Sequence, residues 1–111
     1  MQNSENEKSD LLYMINDWHD GVSTRLSADK LRNDIVNNFL ATKRRIVLDF
    51  ADLRVISSSF ADEVLGKLVL EFGFFGFNNI VKLKNMNELI QQIVQRSVAQ
   101  RMAESLNNVD K

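Results

Sequence analysis

The chain has 111 residues, 44% hydrophobic and 26% charged, with 14 Lys and Arg against 15 Asp and Glu for a formal net charge of −1. That length supports one domain around one modest core and excludes a two-domain enzyme with an interdomain cleft. The even charge offers neither a basic footprint for nucleic acid nor a polybasic patch for a membrane surface, and the absence of cysteine excludes disulfides, thiolate metal sites and cysteine nucleophiles.

Residues 1–10 are polar and aperiodic, which predicts a disordered tail before a domain over residues 11–111. The same stretch has acidic residues and no apolar h-region, and no apolar run approaches the ~20 residues that span a bilayer, so a cytoplasmic protein is expected. Leu11 to Ile15 is a short apolar run that predicts a first strand, ended by the turn formers Asn16, Asp17, Asp20 and Gly21. Ser27 then fits a helix N-cap, with Leu31, Ile35, Val36, Phe39 and Leu40 at helical spacing behind it. The basic cluster Lys43-Arg44-Arg45 suits that helix's C-terminus, and Ile46-Val47-Leu48 reads as a buried central strand ending in Asp49.

Leu53 to Ile56 predicts another brief extended segment, stopped by Ser57-Ser58-Ser59. In the helix that follows, Phe60, Val64, Leu65, Leu68, Val69 and Phe72 take one side and Asp62, Glu63, Lys67 and Glu71 the other. Gly73 and Gly76 are expected to close it and to frame an aromatic turn with Phe74, Phe75 and Phe77. Ile80 to Lys84 alternates as a strand with one wetter side, and Asn85 is the expected start of a last helix. Its apolar stripe is Met86, Leu89, Ile90, Ile93, Val94, Val98 and Met102. Strand and helix in alternation predict an α/β fold, a mixed or parallel central sheet packed by about three helices.

Two constellations could carry function. Asp49 and Asp52 stand at the C-terminal end of a predicted strand, where open α/β sheets place their sites. A receiver-type phosphoacceptor needs further acids for magnesium, and Asp17 and Asp20 match loosely, so the simpler reading has both carboxylates accepting backbone hydrogen bonds in a tight turn. The second is the run Ser57-Ser58-Ser59-Phe60-Ala61-Asp62-Glu63. Here Ser59 is expected to cap the helix with Asp62 as the acidic member of a capping box. A phosphate on such a serine would meet amide donors at the helix start, crowd Asp62 and Glu63, and change the surface potential with ~2 added negative charges.

Other features are weaker. The phenylalanines from Phe72 to Phe77 read first as core residues and second as a partner-binding patch. His19, beside Trp18 and Asp20, is the only histidine and poor material for a triad or a metal site. Arg25, Lys30 and Arg32 read as scattered surface cations.

The stretch from Val47-Leu48-Asp49-Phe50 through Val55 to Glu63, continued by Leu65-Gly66-Lys67-Leu68, resembles STAS-like domains, the fold of bacterial anti-sigma-factor antagonists. The likeness is closest to a poorly characterised STAS-like group with a Ser-Ser-Phe-Ala-Asp-Glu core, here Ser58 to Glu63. Weaker matches at Ser23 to Leu31 and Ile80 to Asn85 extend it over most of the domain. In the antagonists a serine at this strand-to-helix junction is phosphorylated by an anti-sigma factor that is also a GHKL-type ATP-binding kinase. The resemblance puts that serine at Ser58, with Ser59 adjacent; Ser57 stands in place of the usual aspartate and Phe60 in place of the usual glycine.

The resemblance thus implies a non-catalytic partner-switching module without cofactor or metal. Its candidate phosphorylation positions are Ser58 and Ser59, and its candidate docking residues are Ser57, Phe60, Asp62, Glu63 and Lys67. A protein partner is expected, nucleic acid and membrane are not, and a homodimer stays open. The alternative is a small-ligand sensor, as for some STAS domains, although no P-loop or GxGxxG phosphate cradle is present.

Overall fold

Three short apolar runs, Leu11–Met14 (β1), Ile46–Asp49 (β2) and Val81–Lys84 (β3), form a parallel sheet in the order β1-β2-β3. The computed structural model describes residues 9–18 and 24–109. Of the tail expected over residues 1–10, residues 1–8 lie outside the described residues. Ser9 and Asp10, expected in that tail, are instead held, with Arg44 Nε donating to the Ser9 carbonyl at 2.7 Å and Arg45 facing Asp10 at 3.7 Å.

β2 is buried along its whole length because a neighbour lies on each side and helices cover one face, the pattern of a central parallel strand. The register sets Leu11, Ile46 and Val81 in one row and Tyr13, Leu48 and Leu83 in another, and both rows pack into the core. The alternate row is Leu12, Val47 and Lys82 on the opposite face, where Leu12 is 58% exposed.

Parallel neighbours need crossovers, and helices supply both. β1 leads through a single turn, Ile15–Trp18 (α1), to Thr24–Thr42 (α2) and then β2. Of the turn formers expected after Ile15, Asn16 and Asp17 are thus helical, and Asp20 and Gly21 lie outside the described residues. α2 begins at Thr24, so Ser27 lies inside the first turn instead of capping it. Leu31 and Ile35 are fully buried and Phe39 packs at the margin, whereas Leu40, expected in the stripe, is 57% exposed. The helix stops where Lys43 adopts a left-handed φ of 59°. Tyr13 ties β1 to α2: its hydroxyl donates to Asp34 Oδ2 at 2.8 Å and accepts from Asn38 Nδ2 at 2.6 Å. Burial, with the Asp34 carboxylate beside it, pushes the Tyr13 phenol up to about 12.

From β2 the chain crosses to β3 through Ser58–Ala61 (α3), a π-helical turn over Asp62–Gly66, and Lys67–Ile80 (α4). α4 is broken at Gly73, whose φ of 76° and ψ of 161° belong to a region that side chains with a Cβ avoid. The helix resumes beyond this kink and ends at Ile80, so Gly73 bends the segment and neither Gly73 nor Gly76 closes it. Phe72 packs edge-on against Phe39 with centroids 5.4 Å apart, and Phe77 is buried. Phe75 is 82% exposed beside Phe74.

Leu53 to Ile56 pairs with no strand among the described residues. The Leu53 and Arg54 carbonyls accept instead from Asn87 Nδ2, at 3.2 and 2.8 Å. Asn87 also caps Glu88–Val109 (α5), its Oδ1 accepting from the Ile90 amide at 2.8 Å. The last helix therefore starts two to three residues later than the Asn85 signal suggested, and Asn85 occupies a left-handed turn with φ 59°. Ile90 and Val94 are buried, while Leu89, expected in the same stripe, is half exposed. Among the described residues no helix is long and apolar enough to cross a membrane.

Candidate functional site

The end of β2 is organised by Asp49. Its Oδ1 accepts from the Ala51 amide and from Asn85 Nδ2, both at 2.9 Å, so one carboxylate oxygen closes its own turn and reaches the loop after β3. The Asn85 bond, then the Ala51 amide, hold its carboxyl below the usual carboxylate range. Asp52 takes the left-handed turn position, φ 68°, with its side chain exposed. The expected hydrogen bonding in this turn thus belongs to Asp49, and Asp52 contributes conformation. Among the described residues no cluster of three His, Cys, Asp or Glu could hold a metal ion. His19 and Asp20 lie outside them.

The next stretch delivers a helix start to the surface. Ser57, not Ser59, is the N-cap: its backbone is extended (φ −75°, ψ 155°), its Oγ accepts from the Phe60 amide at 3.0 Å, and its carbonyl accepts from the Ala61 amide at 3.0 Å. Any of the three serines has the chemistry of a cap. Burial selects among them: with Ser57 as cap, Phe60 and Ala61 fall into the core and Ser58 and Ser59 remain exposed. The capping box with Asp62 does not form.

Asp62 instead meets α5. Arg101 grips it with two bonds, Nε to Oδ1 at 2.8 Å and Nη2 to Oδ2 at 2.6 Å, the fork geometry of a strong guanidinium–carboxylate pair. The Arg101 bond holds the Asp62 carboxyl below its ordinary value, and Asp62 in turn raises Arg101. Gly66 permits this approach. A Cβ there would lie 2.4 Å from Asp62 Oδ1 and 2.9 Å from Arg101 Cγ.

Glu63 is the larger departure from expectation, because it is only 6% exposed although an outward-facing position was predicted. Burial by itself would raise its carboxyl, but bonds from Lys67 and Arg32 overcome it and the net direction is down. Lys67 Nζ lies 3.0 Å from Oε1, and Arg32 Nη1 lies 3.2 Å from Oε2 and 2.7 Å from the Glu63 carbonyl. Arg25 stands at 3.7 Å. Arg32, expected as a scattered surface cation, therefore joins α2 to the π turn and is itself held by Asp29. The π turn follows from the same residues: the Lys67 amide donates to the Asp62 carbonyl five residues back.

These elements bound a groove of about 330 Å³ between the start of α3 and the middle of α5, with Ser58 and Ser59 on one rim and Arg96 and Gln100 on the other. Of the candidate docking residues, Ser57 and Lys67 are partly exposed, Asp62 is engaged with Arg101, and Phe60 and Glu63 point inward. A phosphate at Ser58 or Ser59 would not face two free carboxylates, since Asp62 and Glu63 already have cationic partners. Sequence reasoning missed Arg101, Arg96 and Ser97, which come from α5. A signal existed for Ser97, standing three residues after Val94 within the apolar stripe.

A family model described as "STAS-like domain of unknown function (DUF4325)" matches residues 27–91. Comparisons with curated proteins and with solved structures gave no match. The matched span runs from α2 to the first turn of α5, and so contains both the Asp49 turn and the Ser57 to Gly66 segment.

Proposed function

Because this chain belongs to the STAS-like domain family, we propose that it is a non-catalytic protein-interaction module of the partner-switching kind, docking through the surface at the start of α3. The observation that supports this reading is the placement of Ser58 and Ser59. Both side chains are exposed, on backbone anchored from beneath by the Ser57 cap and the buried Phe60 and Ala61. Residues held on a rigid frame lose little entropy when a partner docks.

Phosphorylation at Ser58 or Ser59 is the switch in this reading. It adds ~2 negative charges to a surface whose carboxylates are already paired, so the frame stays folded while the surface potential becomes more negative and a partner docked on the unmodified face is released. By family resemblance the partner is an anti-sigma factor or a GHKL-type ATP-binding kinase in a bacterial cytoplasm.

The test is to isolate the protein from its native cell, identify what co-purifies, and map phosphate by intact mass and peptide analysis. Expected are an ATP-binding protein partner and phosphate on Ser58 or Ser59, with Ser58→Asp or Ser59→Asp weakening the complex. Repeated isolation of a solitary, unmodified protein would sink the proposal.

A further inference from the structure

Ser97 sits in the middle of α5, only 5% exposed, and its hydroxyl makes no hydrogen bond among the described residues. Buried hydroxyls nearly always have a partner. This one lines the groove, opposite Ser58 and Ser59 and next to Arg96 and Gln100.

We infer that the groove is a binding site for a phosphoryl oxyanion, held by the Arg96 and Arg25 guanidiniums and the Ser97 hydroxyl. The charge around it favours an anion. Arg96 has no carboxylate within ion-pair distance among the described residues, and Arg25, 76% exposed, touches Glu63 only at 3.7 Å. The acids lining the groove are engaged, Asp62 by Arg101 and Glu63 by Lys67 and Arg32. Two further acids, Asp29 and Glu104, pair with Arg32 and Arg101. A cation would find no free carboxylate among the described residues lining the groove. A phosphoryl group, with three acceptor oxygens, matches two guanidinium forks and a hydroxyl donor. The volume of about 330 Å³ is roughly ten times the ~30 Å³ share of a water and admits such a group.

The phosphoryl group has two sources: a phosphate monoester in solution, or a phosphoserine at Ser58 or Ser59 on the rim. The second rests on the proposed switch and the first does not.

The experiment has two arms on the full chain. In the first, amide NMR shifts are followed on adding inorganic phosphate and phenyl phosphate at ionic strength fixed with chloride. Saturable shifts are expected at Ser58, Ser59, Ser97 and Gln100, with Arg96→Gln and Ser97→Ala each weakening binding about tenfold while keeping native spectra. In the second, phosphoserine is installed at Ser58 or Ser59 and its ³¹P shift is titrated. A second pKa below the ordinary ~6, restored by Arg96→Gln, assigns the groove to the chain's own phosphate. Binding in the first arm alone assigns it to a solution ligand. Shifts no larger than chloride produces, together with a phosphoserine pKa that Arg96→Gln does not move, overturn the site, as does wild-type affinity in both variants. Loss of the partner reading would leave the first arm standing.

Discussion

Two pairs of acids, Asp49 with Asp52 at the end of β2 and Asp62 with Glu63 in the π turn after α3, are treated by the protein in opposite ways. Asp49 is satisfied by neutral donors, a backbone amide and the Asn85 side chain, and it staples the turns after β2 and β3 at one end of the sheet. Asp62 and Glu63 are satisfied by cations from other helices, Arg101 of α5 and Arg32 of α2. A neutral staple fixes local backbone. A charged one joins elements distant in sequence and leaves a field at the surface, and the candidate groove lies beside the charged pair.

The contrast can be broken most severely at Glu63. Glu63→Ala leaves Arg32 and Lys67 without their buried partner, and removing one member of a buried pair costs on the order of 3 kcal/mol. Chemical denaturation should show that loss, and a variant as stable as wild type would mean that the cluster is not the tie between α2 and the π turn. The acid limb gives the sign. The folded-state carboxyls of Glu63 and Asp62 lie below their unfolded values, so their contribution is complete above the unfolded pKa, about 4, and is lost as pH falls through the lower folded values. Melting temperature followed from pH 7 to 2.5 should drop in this window, and Glu63→Gln should flatten the drop.

Gly66→Ala comes next. The added methyl cannot coexist with Asp62 Oδ1 at 2.4 Å, and overpacking of this kind costs roughly 2 kcal/mol. In an Arg101→Ala background Asp62 is free to swing away, so a double-mutant cycle should show the cost shrinking. An unchanged cost would place the strain in the helix backbone.

Ser57→Ala should cost about 1 kcal/mol as the loss of a cap, whereas Ser59→Ala, an exposed change, should stay within about 0.5 kcal/mol. Equal effects would contradict the assignment of the cap. Asp49→Ala should lower the denaturation midpoint and Asp49→Asn less so, because the amide oxygen still accepts from Ala51.

The strands and long helices were legible because burial imposes a period. Ile46 to Leu48, Leu31 with Ile35, and Ile90 with Val94 each mark the buried face of the element they build. Caps were less legible. Three consecutive serines are chemically equivalent, and two asparagines, Asn85 and Asn87, precede α5; the choice of Ser57 and Asn87 follows from which neighbours the core accepts. Glu63 could have been suspected, since it stands three residues after Phe60 and one before Val64, inside the apolar stripe. A carboxylate on an apolar face is buried only where cations meet it, and Arg32 comes from another helix.

By itself the sequence determined the α/β alternation, the central β2, the STAS-like resemblance and the serines at the helix start, because these depend on neighbours within a few residues. Only the tertiary structure decided which carboxylates are neutralised, which serine caps, and that Ser97 and Arg96 face Ser58 and Ser59 across a groove. The Arg32–Glu63 and Arg101–Asp62 pairs and the two walls of the groove join residues more than thirty positions apart in the chain, and nothing in local spacing states which charges burial will bring together.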